Sequence, residues 1–296
     1  MIIIPKTAEG LPIIIEEKVL REKHDNNSLK QKIANYVISL LREVQYGVNH
    51  IYRCFKSSEN HHTPDQKMNW NPKSEGLYVL VHGLSGHPSI WDPQIAEIKK
   101  NENLDIFAPF VPQAGRCTLE EAAEPLLANI LDYALTYPDR PISLLGVSNG
   151  CRIILWLENQ LREKAQGTAV KISAVAGVNF GTTQVNLAEN YGIGKYFLHT
   201  ATRQELQFGS EKAQELLKNV VKECPQGTER SYDFFATTVD LLVPCLNSSL
   251  PQLGLGEQHH VVHDYGHNSI VRGVCNQQMQ ICEEWRKTQL DKMLAA

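Results

Sequence analysis

The stretch Ile142-Ser143-Leu144-Leu145-Gly146-Val147-Ser148-Asn149-Gly150-Cys151-Arg152-Ile153-Ile154-Leu155 decides the fold. It begins as an apolar strand pattern, Ile142 to Leu145, and passes through a glycine-flanked serine. A helical pattern follows from about Cys151 to Ala165, which Gly167 can terminate. Gly146-Val147-Ser148-Asn149-Gly150 therefore matches G-x-S-x-G at the one place where that pattern has meaning, between a strand and a helix. A serine hydroxyl is a poor nucleophile until a base takes its proton, so it must protrude toward a histidine. A sharp turn achieves this but crowds its own backbone, and the missing Cβ atoms at Gly146 and Gly150 relieve the crowding. The helix that follows aims its first N–H groups at any negative charge developing beside Ser148.

Outward from this stretch, strand and helix patterns alternate. Leu77 to Val81 and Ile106 to Phe110 are apolar strand runs. Thr118 and Glu121 form a capping box that opens a helix with an apolar stripe of Leu126, Leu127, Ile130, Leu131 and Ala134. Further strands are predicted over Ile172 to Val178, Tyr232 to Val239 and His259 to His263, with a helical pattern at the C-terminus. This order predicts an α/β protein with a mostly parallel, doubly wound sheet and helices on both faces. The segment 183–229 breaks the alternation with helix-like stretches, notably Ser210 to Lys222, and is expected to form a helical cap over the sheet.

Residues 1–74 read as an N-terminal extension, and 75–296 as the catalytic domain. Ile2 to Ile4 and Ile13 to Ile15, around Gly10-Leu11-Pro12, suit a hairpin or an edge strand. From Ser28, capped by Gln31, the residues Leu29, Ile33, Val37, Leu41, Val44, Val48, Ile51 and Phe55 recur at helical steps. Packing against the main domain or a partner protomer is the favoured account of that helix. Its polar face mixes Lys30, Lys32 and Arg42 with Glu43, Gln45 and Asn49, unlike the strongly basic face that anionic lipid prefers, so peripheral membrane contact is the lesser reading. Residues Ser57 to Ser74, with Pro64 and Pro72, read as a linker.

The chain of 296 residues is 42% hydrophobic and 21% charged, ordinary values for a globular protein. A formal net charge of -4 offers no general attraction to nucleic acid. No apolar run reaches the roughly 18 residues that a membrane span needs. Met1-Ile2-Ile3-Ile4-Pro5-Lys6 lacks the marks of a Sec signal peptide, so a cytoplasmic location is expected, with export by another route left open. The cysteines at 54, 117, 151, 224, 245, 275 and 282 show no metal-binding spacing and read as mostly reduced thiols, with a Cys224–Cys245 pair left open.

His82-Gly83-Leu84-Ser85-Gly86 follows the strand Leu77 to Val81, and Gly83 and Gly86 let the backbone turn its N–H groups into a cavity. Together with the Gly146 to Gly150 pattern, this resembles the α/β-hydrolase superfamily, particularly its lipase and esterase branch. The resemblance implies an oxyanion hole whose donors are the backbone N–H groups of Leu84 and Asn149, with His82 bracing the loop. Asp240-Leu241-Leu242-Val243-Pro244 resembles the family's acidic loop, which makes Asp240 the acid and Asp233, inside the strand, the weaker candidate. His267 follows a glycine after the last strand, where the family places its base. His259, His260 and His263 alternate along that strand and read as structural or surface residues.

The order Ser148, Asp240, His267 is the one this fold uses. The resemblance covers roughly Glu75 to the C-terminus, and none is recognisable in 1–74. It implies hydrolysis of small-molecule or lipid acyl esters through an acyl-enzyme, with no metal or cofactor. The same three residues would also serve a thioesterase, an acyltransferase or a peptidase, and the fold could persist in a binding protein without turnover. Serine in place of aspartate at the turn disfavours dehalogenase chemistry. The GTPHxG-like stretch of related lipases is here Gly181-Thr182-Thr183-Gln184, which leaves the acyl chain unspecified, and the oligomeric state is not legible.

Overall fold

Six segments form the strands of one sheet: β1 (Gly76–Val81), β2 (Leu104–Phe107), β3 (Ile142–Val147), β4 (Val170–Val175), β5 (Arg230–Thr237) and β6 (Gln258–Val262). Their order is β2-β1-β3-β4-β5-β6 and every neighbouring pair is parallel. The computed structural model describes residues 14–54, 61–192, 194, 198–224 and 228–295. Two helices precede the sheet, α1 (Glu17–His24) and α2 (Leu29–Cys54). α3 (Asp92–Ile98), α4 (Leu119–Thr136) and α5 (Asn149–Lys164) lie between the first four strands. Between β4 and β5 come α6 (Thr183–Asn190), α7 (Thr200–Leu206) and α8 (Glu211–Val220). α9 (Leu246–Ser249), α10 (Ile270–Gly273) and α11 (Cys275–Ala295) complete the chain.

The continuous apolar strands are explained by burial on both faces. Along β1, Leu77, Val79 and Val81 point into a core shared with α4, α5 and α8, while Tyr78 and Leu80 point into a second core with Trp91, Ile95 and Cys282 of the opposite helical layer. The doubly wound sheet that the alternation predicts is thus present, and the Thr118–Glu121 capping box is formed at the start of α4.

Two local expectations are corrected, on α8 and on the linker. α8, assigned to the cap with the rest of 183–229, packs on α5 and buries Leu216, Leu217 and Val220 in the main core, so it is a sheet-covering helix. The hairpin or edge strand read from Ile2 to Ile4 and Ile13 to Ile15 falls almost wholly outside the described residues, and a helix begins at Glu17. The linker is held against the body over its described part: His62 N–H donates to Ala108 O (3.1 Å), Phe110 N–H donates to His62 O (2.8 Å), and Trp70 Nε1 donates to Asp132 (2.8 Å).

The N-terminal extension packs against the main domain, as favoured from its sequence. Leu20 is fully buried in the main core, Asn247 Oδ1 accepts from Ile15 N–H (3.1 Å), and Glu17 accepts from Leu246 N–H (3.1 Å). The α2 capping box of Ser28 and Gln31 is formed. Its apolar stripe, however, faces outward: Leu29 is 74% exposed, Leu41 66% and Val48 66%. α2 meets the body through another face, which carries Arg42, Glu43 and Tyr46. Because the stripe and the docking face occupy different sides of the helix, helical periodicity identified the helix but not its contact.

Leu20→Ala should therefore weaken the whole fold, since the lost side chain leaves a cavity in the shared core. The expected cost is about 2–5 kcal/mol, read as a lower denaturant midpoint. An unchanged midpoint would show that α1 adds nothing to the core.

Candidate active site

The strand order places β1 and β3 side by side with the chain leaving them in opposite directions, and in open parallel sheets ligands bind in the crevice beyond such a reversal. Both motifs fall there. His82 to Gly86 leaves the carboxyl end of β1, and Ser148 leaves the carboxyl end of β3, whose Gly146 is in register with Val81. Ser148 has φ 54° and ψ −123°, a conformation that non-glycine residues rarely adopt. The turn is tight because α5 starts at once against β1: a Cβ at Gly150 would collide with Val81 O, and one at Gly146 would lie 2.7 Å from Gly150 O.

His82 is buried, and its ring explains the shape of the loop that follows. Val111 N–H donates to Nε2 (3.0 Å), so Nε2 is an acceptor and the proton sits on Nδ1, which donates to Gly83 O at 2.9 Å. The ring thereby joins the loop after β1 to the one after β2. Residues Gln113, Ala114 and Gly115 of that second loop all have positive φ. They support the first loop from below, with Ser85 N–H donating to Ala114 O (2.7 Å) and Asn149 Nδ2 donating to Gly115 O (3.3 Å). Gly83 lies close against Ser148, and among the described residues neither Leu84 N–H nor Asn149 N–H is used in a hydrogen bond.

Asp240 lies just past β5. Its Oδ1 accepts from Leu242 N–H and Val243 N–H, both at 2.8 Å, which leaves Oδ2 to accept from His267 Nδ1 at 2.8 Å. Both side chains are buried. Burial pushes the His267 imidazole down, but the charge and hydrogen bond of Asp240, with a further contribution from Glu43, outweigh it, so the net shift is upward. Ser148, Asn149, Leu84 and His267 line one cavity of about 550 Å³. Its walls are largely apolar, with Val178, Val185, Leu198 and Leu206 on the β4–α7 side and Leu242 and Val243 beside Asp240. No hydrogen bond joins Ser148 to His267 among the described residues, a looseness common in sites without substrate.

The other candidates lie elsewhere. Asp233 sits inside β5 between Lys171 Nζ and His260 Nε2, the latter at 2.7 Å, and these partners hold its carboxyl below the ordinary value against the opposing effect of burial. It is engaged in a structural ion cluster. His259 faces Pro251 O (3.1 Å) and His263 faces Thr238 Oγ1 (3.2 Å). Cys224 and Cys245 are both free thiols. Among the described residues no helix is long and apolar enough to cross a membrane.

Several neighbours of the site were invisible to sequence reasoning. Tyr46 of α2 lines the cavity although it precedes Ser148 by about a third of the chain. Beneath Asn149, the buried Arg152 guanidinium donates to Asn149 Oδ1 (3.1 Å) and pairs with Glu205 of α7 (3.2 Å), tying α7 to the turn. The apolar spacing of α5 carries a hint, because Arg152 falls among its buried positions. Nothing local marks Tyr46.

No family model matches the sequence, and no curated protein matches it. Among solved structures, Est1E from Butyrivibrio proteoclasticus is similar over 74% of this chain and 91% of its own, at 14% identity and a TM-score of 0.51. The lipase BlEst2 from Bacillus licheniformis, in its mature form, is similar over 75% of this chain and 96% of its own, at 17% identity and a TM-score of 0.50. The chain has the α/β-hydrolase fold, and likeness at such identities speaks for the fold alone.

The His267 shift can be measured without reference to any reaction. An NMR titration should place its midpoint above the ordinary value of about 6.5, and Asp240→Asn should lower it. Because the folded value is the raised one, the pair's contribution to stability is full below the unfolded value and fades as pH rises through the folded value. A midpoint unmoved by Asp240→Asn would contradict the assignment.

Proposed function

We propose that this chain is a serine hydrolase that cleaves carboxylic acyl esters through an acyl-enzyme on Ser148. The observation that carries the proposal is the coincidence, in one cavity, of a serine at a positive-φ strand-to-helix turn with a buried histidine whose Nδ1 is held by a carboxylate. In this reading His267 Nε2 takes the Ser148 proton as Oγ attacks the ester carbonyl. The carbonyl oxygen, now negative, receives the free N–H groups of Leu84 and Asn149. The C–O bond breaks, the departing alcohol takes the proton from His267, and water repeats the sequence to release the acid. Asp240 fixes the imidazole tautomer and stabilises its charged form.

The apolar cavity walls favour an acyl chain of several carbons over a charged or strongly polar one. Every group in this scheme is a side chain or backbone amide of the chain itself.

The test is hydrolysis of p-nitrophenyl esters of increasing chain length, with thioesters and peptide amides alongside. The expected result is ester cleavage that falls in Ser148→Ala on the order of 10⁴-fold or more. Since the base must be neutral, kcat/KM should decline as pH falls through the raised His267 value, above about 6.5. Preference for amides or thioesters would move the substrate class, and full activity in Ser148→Ala would overturn the mechanism.

A further inference from the structure

α2 approaches the loop that carries His267 and inserts one carboxylate into it. Glu43 Oε1 accepts from the backbone N–H groups of Asn268 (3.0 Å) and Ser269 (2.7 Å), and Oε2 accepts from Asn268 Nδ2 (3.0 Å). These are the two residues immediately after His267. Before it, a Cβ at Gly266 would collide with the Glu43 side chain, so the two are in direct contact. The loop is also closed on itself, since Gly266 N–H donates to Ser269 Oγ (3.0 Å). From the preceding position, Arg42 Nη1 donates to Asp264 O (2.7 Å), pairs with the Asp264 carboxylate (2.6 Å), and lies 3.9 Å over the Tyr265 ring. Two adjacent residues of α2 thus hold the loop on both sides of the histidine, across more than 220 positions of sequence.

We infer that Glu43 is a positioning residue for His267, so that α2 completes the site whose reaction is proposed above, and the inference rests on that reading. Two backbone hydrogen bonds and one from the Asn268 side chain, all to one carboxylate, fix the segment after His267, while Asp240 fixes the ring from the other side. A base must be held in orientation to receive the serine proton, and small misplacements are costly to rate. The charged groups acting on the imidazole are Asp240, from the loop after β5, and Glu43, from α2, both negative; Arg42 is taken up by Asp264 and Tyr265. Glu43 therefore favours the protonated imidazole as well as ordering its loop.

Glu43→Ala removes the clamp and the charge. Glu43→Gln keeps an acceptor oxygen for the two backbone N–H groups, while it removes the charge and the acceptor for Asn268 Nδ2. In the full-length chain, with folded fraction checked by thermal melting, Glu43→Ala is expected to lower kcat by between about tenfold and a hundredfold at nearly unchanged KM. Glu43→Gln is expected to recover most of that kcat at high pH, with the pH midpoint of kcat/KM displaced downward from the wild type. A residue that merely supports the fold would lower the melting temperature and leave both the kcat of the folded fraction and the midpoint in place. An active wild type whose Glu43 variants keep its kcat and midpoint overturns this inference alone. A wild type that cleaves no ester overturns the hydrolase reading, and this inference with it. If Glu43→Ala does not fold, the midpoint in Glu43→Gln decides.

Discussion

A non-glycine residue held in a sparsely populated backbone conformation costs on the order of 1–3 kcal/mol, and it persists only where its surroundings over-determine it. Ser148 is such a residue, at φ 54°, and its surroundings do so. β3 is paired on both sides, α5 is buried along most of its length, and Gly150 sits directly on the carbonyl of Val81. There is no room for the chain between β3 and α5 to relax. The same packing brings the end of β1 against the turn, so the loop from His82 to Gly86 lies over Ser148 as a consequence of it. Arg152, one helical turn further on, carries the constraint to α7 through Glu205.

Around that turn the sheet acts as a scaffold for separate parts of the chain. β1, β3, β5 and β6 all point their carboxyl ends the same way because every pairing is parallel. Each is followed by a loop that contributes one candidate group: Leu84, then Ser148 with Asn149, then Asp240, then His267. The Asp240–His267 hydrogen bond is made between loops from adjacent strands, and its buried setting strengthens it. The N-terminal extension closes the ring, since α1 enters the core beside α9 and α2 meets the His267 loop.

Much of this was legible in the sequence because it is written in short-range pattern. The central strands β1 and β3 are apolar runs buried on both faces, the Thr118–Glu121 and Ser28–Gln31 boxes mark helix starts, and Gly146 and Gly150 mark a turn with no space for side chains. The Asp240–His267 pairing rested on chain order within a resemblance, and the distance between them is a tertiary fact. The errors have a common cause. α8 has the same local pattern whether it covers a sheet or a site, and the apolar stripe of α2 does not say which face docks. Glu43 looked like one more charge on a polar face, because its partners lie 225 and 226 positions away.

The central claim is that Ser148 is a nucleophile activated within this constellation, and covalent trapping tests it most directly. The full-length chain would be treated with a fluorophosphonate, weighed intact, and then digested and mapped. One adduct per chain is expected, on the peptide that contains Ser148. No adduct, or an adduct carried by any other residue, would contradict it.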